Sequence, residues 1–447
     1  MTIALYVLGV LLLLLGVAIS IALHEMGHLL PAKKFGVKVN QYMIGFGPTV
    51  FSRRRGETEY GVKLLPLGGY IAMIGMFPPK PGGGVRRSST GMFQTMIDDA
   101  RKVSAEEMEP GDEKRAFYNL SVPKKLVVMM GGPTMNLVIG IVLLAVVVCG
   151  IGFKTPTTTV ETVSQCVVGA QQAAARQKDG GAGCKPSDPR SPAVSAHVKQ
   201  GDTIESIGGT PTPTWQSLSR TIEKSAGETV PVVVERSGRT ITLHAHIATN
   251  KVAEYDADGN YKKNADGTIK TREAGFFGVG PTYDYHGQPV TALPAVVGND
   301  LVRIFDALVH LPQRLTGVAQ SAFTSAPRAQ NSPVGMIGIG RAAGEIATTH
   351  TIDVEGKIAI GVNLLATLNM FLFAFNLVPL LPLDGGHIAG ALFEGIRRRM
   401  AAWSGRADPG PADVAKLMPV TYVVVGLMLA MTLLLGYADI VKPIKLF

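Results

Sequence analysis

Leu23-His24-Glu25-Met26-Gly27-His28-Leu29 closes a 23-residue run, 1–23, that carries no charged side chain. On an α-helix, residues four apart share a face, so the imidazoles of His24 and His28 point the same way. Zinc takes imidazole nitrogens at roughly 2.0–2.1 Å, and such a pair can supply two ligands. Glu25, between them, is placed to take a proton from a water held by the ion. The run in front of the motif is long enough to cross a bilayer, which takes ~20 apolar residues. Ionisable side chains at the end of a span are costly, and that cost argues for function over coincidence.

Two histidines do not complete a catalytic zinc site, which usually holds three protein ligands and leaves a position for water. Positions 31 and 34 are Pro31 and Lys34, so the nearby third histidine of some His-Glu-x-x-His enzymes is missing. The nearest downstream acids, Glu57 and Glu59, follow the triple-arginine turn Arg53, Arg54, Arg55. A third ligand is therefore expected from another apolar span.

Residues 358–393 meet that requirement. These 36 residues hold one Asp, Glu, Lys or Arg, namely Asp384, and are too long for one straight span. Asn376, Pro379, Pro382 and Gly385-Gly386 interrupt the run. Proline removes a backbone donor and breaks a helix, and broken helices at membrane depth are tolerated where they line a polar site. Asp384 offers an oxygen ligand whose charge a cation would offset. The plainer role, capping a helix after the break, does not call for the Asn-x-x-Pro pattern in front of it. His387 reads as structural or interfacial, not as a fourth ligand.

Composition agrees with a membrane protein that has a soluble part: 447 residues, 46% hydrophobic, with positive mean hydropathy. The net charge is +9, but no basic helix, aromatic-basic interleaving or zinc knuckle points to nucleic acid. Residues 31–125 hold 16 Lys+Arg against 9 Asp+Glu, with Lys33-Lys34 and Lys124-Lys125 against the flanking spans. The positive-inside rule puts this segment in the cytoplasm and the His-Glu-x-x-His site toward that side.

The expected fold is a multi-pass α-helical membrane protein with about four transmembrane helices, a membrane-associated β-hairpin and one inserted α+β domain. Residues 1–30 form the first span; with no basic start and no small-residue cleavage site they do not read as a signal peptide. Within the cytoplasmic loop, 62–76 (VKLLPLGGYIAMIGM) is too short to span and reads as a hairpin beside the site. Residues 78–115 read as a flexible loop. Residues 126–153 form the second span; its Gly131-Gly132-Pro133 allows close helix approach, and Asn136 is expected in an interhelical hydrogen bond.

Residues 154–290 are soluble in composition and extracytoplasmic by the same charge rule. Cys166 and Cys184 lie there and can pair if that side is oxidising, while Cys149 reads as a small buried hydrophobe. His244 and His246 alternate on a strand and read as exposed. Residues 291–357 read as a linker with an amphipathic part, 358–393 as a broken third span, 394–418 as a cytoplasmic loop marked by Arg397-Arg398-Arg399, and 419–437 as the final span.

In 154–290, Ser191-Pro192-Ala193, Gly201-Asp202-Thr203-Ile204, a helical stretch near 215–224, a hairpin turning at Ser237-Gly238 and Phe277-Gly278-Val279-Gly280 resemble a bacterial PDZ domain, a module that binds extended peptide. Together with His24-Glu25-Met26-Gly27-His28 and Asn376-Leu-Val-Pro379-Leu-Leu-Pro382-Leu-Asp384-Gly385, the chain resembles the site-2 protease family of intramembrane zinc metalloproteases, in its bacterial PDZ-containing branch that cleaves anti-sigma factors.

That resemblance implies a plasma-membrane enzyme with Zn2+ as cofactor. It implies His24, His28 and Asp384 as zinc ligands, Glu25 as general base and Asn376 as holder of the substrate backbone. Pro66-Leu67-Gly68-Gly69-Tyr70 matches the family's membrane-associated β region. The implied partners are the lipid bilayer, a single-span membrane protein such as an anti-sigma factor, and a site-1 protease that cuts first. Larger members carry two tandem PDZ domains, whereas this chain has room for one. The Ala- and Arg-rich composition suggests an actinobacterial relative. The rival reading is a non-catalytic membrane adaptor with a PDZ-like domain and a structural metal; a metal transporter would need more paired polar residues in the spans.

Overall fold

The computed structural model describes residues 2–79, 101, 108–178, 183–254, 262–264, 267–329 and 331–444. They form two compact units, Met1–Ile151 with Gly287–Phe447, and Gly152–His286.

Among the described residues of the first unit, four helices are long and apolar enough to cross a membrane: Thr2–Lys34, Val122–Ile151, Val354–Asn376 and Val414–Val441. In hydrocarbon a helix satisfies its own backbone, so predominantly apolar runs of this length settle as helices. The first carries Pro31 in its last turn and ends on Lys33-Lys34, cations favoured at a helix C-terminus. First and second spans touch backbone to backbone: a methyl on Gly27 would sit 2.3 Å from the Gly131 carbonyl oxygen, and one on Gly131 2.0 Å from that of Gly27. Only glycine permits this approach, and it occurs within the His-Glu-x-x-His turn.

Polar groups between the spans are few. Asn369 on the third span donates from Nδ2 to Ser20 Oγ on the first at 3.0 Å. Asn136 is buried, yet its Oδ1 has no hydrogen-bond partner among the described residues, so Asn369 provides the interhelical amide bridge.

The third span stops at Asn376. Residues 377–383 turn, with Leu381–Pro382 cis, and a new helix runs Asp384–Trp403. The stretch 394–418, expected to be a loop, is therefore helical as far as Trp403. Its charged residues share the helix with Leu392, Phe393 and Ile396, and such an amphipathic helix needs no uniformly apolar sequence. The expected linker 291–357 also differs. It holds helices at Leu293–Val309, Leu311–Phe323 and Met336–Thr348. Pro294 and Pro312 open the first two of these, where a missing N–H costs no hydrogen bond.

The hairpin expected within 62–76 is corrected: that run lies mostly in the second strand of a larger hairpin, because its partner is the less apolar segment before it. Strand β1 covers Val39–Arg55 and β2 covers Thr58–Met73, paired antiparallel. β1 bends at Gly45 and Gly47, both at positive φ, a conformation that favours glycine. The bend folds the pair into more than two segments: Tyr42 faces Ile71 on one side and Tyr60 on the other. Among the described residues no further strand pairs with the outer edge of 69–73. Val37, Val39, Tyr42 and Met73 pack with Leu29 of the first span and Val128 and Met129 of the second, so this sheet is anchored beside the motif. The 78–115 loop lies largely outside the described residues.

The second unit is a mixed α and β fold. Its strands are β3 (Phe153–Val163), β4 (Thr203–Ile207), β5 (Thr210–Pro211), β6 (Thr229–Arg236), β7 (Arg239–His246), β8 (Ala248–Ala253), β9 (Thr271–Phe276) and β10 (Val279–His286). The main sheet runs β10-β3-β4-β6-β7 with β5 on β4, and β8-β9 pair separately. The helix Trp215–Lys224 opens with a capping box between Thr214 and Ser217 and buries Leu218 and Ile222. These side chains join Ile204, Ile207, Val232, Val234, Ile247 and Phe277 in one core. Ser237 and Gly238 turn β6 into β7, both with positive φ, as two-residue hairpin turns prefer. Asp202, fully buried, takes 2.7 Å bonds from Arg236 Nε and Nη2. Burial, the largest single influence, pushes its carboxyl up, but the Arg236 bonds, the Lys199 N–H and the two nearby positive charges together hold it below the usual range. Cys166 and Cys184 form a disulfide, Cys149 is a half-buried free thiol, and His244 and His246 are exposed.

Candidate active site

The site is built where the first span, the second span and the helix after the break converge. One helical turn separates His24 from His28, and their Nε2 atoms lie 3.3 Å apart. Asp384 Oδ2 is 3.4 Å from His24 Nε2 and 3.3 Å from His28 Nε2. Asp384 is the first residue of its helix, directly after the N-cap Leu383. The break thus turns a chain travelling within the membrane so that a carboxylate at a helix start faces two imidazoles. Among the described residues these three are the one group with metal-ligand geometry.

The arrangement fits a metal ion on its own chemistry. His28 Nδ1 lies 2.8 Å from the Val128 carbonyl oxygen. A carbonyl only accepts, so Nδ1 carries the proton and, in the neutral imidazole, Nε2 presents a lone pair. That lone pair faces Asp384 Oδ2, which is itself buried and without a hydrogen-bond partner. The His28 lone pair and the unpartnered carboxylate oxygen, with His24 Nε2 at 3.3 and 3.4 Å from them, suit a cation between them. Two ligands each ~2.05 Å from a tetrahedral centre lie ~3.3 Å apart, the spacing found here.

Sequence reasoning did not reach the supports of this cluster. The Val128 carbonyl orients His28, and backbone acceptors leave no trace in residue identity. Gly132 is a second case. A methyl there would sit 2.1 Å from His28 Nε2 and 2.7 Å from His24 Nε2. Its neighbour Gly131 could be read for helix approach, but contact with the imidazoles could not.

A cavity of about 310 Å³ opens on the cluster. Glu25, Gly69, Tyr70, Ile71, Met129, Asn376 and Pro382 contribute to its walls with the three candidate ligands. Glu25 is buried, and its side chain packs where a Cβ on Gly69 would fall. Asn376, the last residue of the third span, reaches the same cavity from the other side of the break. His387 lines it too, outside the three-residue cluster. All five sequence-derived site residues therefore meet in one cavity.

A membrane-embedded His-Glu-x-x-His helix facing a carboxylate defines the class, a multi-pass metallopeptidase. Comparison with known proteins makes it specific. The model of Peptidase family M50 matches residues 12–407. The zinc metalloprotease Rip1 of Mycobacterium tuberculosis is 34% identical over 445 residues, 99% of each chain. Rip1 of Mycolicibacterium smegmatis is 32% identical over 451 residues, 98% of this chain and 99% of the other. The zinc metalloprotease RasP of Shouchella clausii is 24% identical over 435 residues, 85% of this chain and 88% of the other. The chain belongs to Peptidase family M50, the site-2 proteases. It is a zinc metalloprotease acting on membrane-protein substrates within the bilayer. The adaptor reading falls with this assignment. It also asked for a closed structural site of four protein ligands, and the described cluster has three.

Proposed function

We propose that His24, His28 and Asp384 hold the catalytic zinc, that Glu25 is the general base, and that Asn376 holds the substrate backbone. The observation carrying this is the 3.3–3.4 Å spacing of three ligand atoms drawn from opposite ends of the chain, with Glu25 in the same cavity. Zinc, when bound, supplies Lewis acidity, polarising the scissile carbonyl and acidifying the attacking water. The Glu25 carboxylate takes that water's proton and passes it to the departing amide nitrogen. A helical substrate keeps its amides in its own hydrogen bonds, so it must be extended before it is cut. The edge of 69–73, which lines the cavity and carries no further strand among the described residues, offers strand pairing for that extended segment. The Asn376 amide can both donate to and accept from its backbone.

We further propose that the site faces the cytoplasmic side and that Gly152–His286 is an extracytoplasmic PDZ-like unit. The basic flanks of 31–125, the arginines at 397–399 and the Cys166–Cys184 disulfide all support this orientation, since disulfides persist on the oxidising side. In this scheme a first protease trims the outer domain of a single-span protein, the PDZ-like unit excludes untrimmed ones, and the cut releases a cytoplasmic fragment. An anti-sigma factor is the substrate class proposed.

The test is Glu25→Gln in purified full-length protein. Cleavage of a single-span substrate should fall ~10³-fold while bound zinc is retained. Turnover near the unaltered rate would remove Glu25 from the role of base.

A further inference from the structure

A buried ion pair stands apart from the catalytic cavity. Lys125 Nζ, in the first turns of the second span, lies 2.7 Å from Glu394 Oε2 on the helix that Asp384 opens. Their side chains are 5% and 2% exposed. Glu394 Oε2 also accepts the Ala412 N–H at 3.0 Å, from the segment leading to the final span, and Oε1 lies 3.0 Å from Arg398. Taking two charges out of water is expensive, and well-packed apolar residues generally stabilise an interior as well or better. The pair is thus poorly explained by stability. Its directional contact can instead fix how one helix sits against another.

The placement shows what would be set. Val128, three residues after Lys125, holds the His28 ring through its carbonyl. Gly131 and Gly132 follow on the same helix, against Gly27 and both imidazoles. One short stretch of the second span, 125–132, therefore aligns the histidines with one set of contacts and the Asp384 helix with another. We propose that Lys125 and Glu394 are positioning residues that hold the Asp384 carboxylate at ligand distance from His24 and His28. This rests on the reading of Asp384 as a zinc ligand.

The experiment uses full-length protein in lipid nanodiscs. Zinc retention is read by titration with a competing chelator, thermal unfolding is followed in parallel, and kcat and KM are measured on a single-span substrate. The variants are Lys125→Met, Glu394→Gln, the double variant Lys125→Met with Glu394→Leu, the exchange Lys125→Glu with Glu394→Lys, and Asp384→Asn. Each single variant should hold zinc about ten-fold more weakly and lose kcat with KM little changed. The apolar double variant should keep its unfolding temperature and still hold zinc weakly, which a merely structural role would not produce. Partial recovery of zinc retention by the charge exchange would support a directional pairing. Folded Lys125 and Glu394 variants with unaltered zinc retention, alongside an Asp384→Asn protein that loses zinc, would overturn the inference alone. Zinc retention by Asp384→Asn would overturn the ligand reading and this inference with it.

Discussion

His28 illustrates how much of the proposed metal site lies outside its candidate ligands. One nitrogen faces the cavity while the other is held at 2.8 Å by a backbone oxygen 100 residues away in the chain, that of Val128. That bond selects the tautomer and fixes the ring, the support that metal-ligating histidines commonly have. Gly132 completes the seat by having no side chain. Replacing it with alanine would put a methyl group 2.1 Å from His28 Nε2. Gly132→Ala is therefore expected to lower zinc retention at least ~10-fold, as loss of ligand support does. Chelator titration of the purified protein measures this, and unaltered zinc retention would show that the helices can part at no cost. Glycine in Gly131-Gly132-Pro133 was legible as a small residue in a span; which atoms it makes room for was not.

At the level of elements, the break after Asn376 was legible because proline and glycine have local consequences that hold in any context. The hairpin was less so. Its apolar half, 62–76, stood out, but its partner Val39–Arg55 mixes polar, glycine and arginine residues and carries no simple alternation. A strand that bends and pairs on two sides follows no period-two pattern.

In the second unit two covalent and ionic links make distinct predictions. The Cys166–Cys184 disulfide has a sequence separation of 18, and a loop of that size is worth ~3 kcal/mol. The paired Cys166→Ser and Cys184→Ser variant should lower the unfolding stability of Gly152–His286 by about that amount, leaving zinc retention unaltered; calorimetry with and without reductant checks it. Asp202 has a depressed folded pKa, so its contribution is present above the unfolded value of ~3.9 and is lost as pH falls through the folded one. Arg236→Met leaves the buried carboxylate with the Lys199 N–H but without the guanidinium that pairs it. It should cost ~2 kcal/mol at neutral pH and abolish this group's share of the acid loss, as hydrogen exchange of β6 across pH would report.

For the whole molecule the decisive property is which side each segment occupies. A reporter fused at residue 100 should score cytoplasmic, and one placed within 152–286 should score on the opposite face. An extracytoplasmic score at residue 100 would invert the proposed topology and move the site to the other leaflet. Charge placement carries this expectation, because lysine and arginine resist transfer across the bilayer and their excess marks the retained side.

Sequence alone determined the span count, the break, the His-Glu-x-x-His pattern and the single acidic residue of the distant apolar run. Each rests on a local cost that no fold can remove: charge in hydrocarbon, a missing backbone donor, and imidazoles fixed one turn apart on a helix. Only the tertiary structure decided that Asp384 meets His24 and His28, that Val128 and Gly132 seat the rings, and that Lys125 finds Glu394. Those contacts join residues far apart in the chain, and their distances are set by how closely helices pack, which composition and periodicity do not encode.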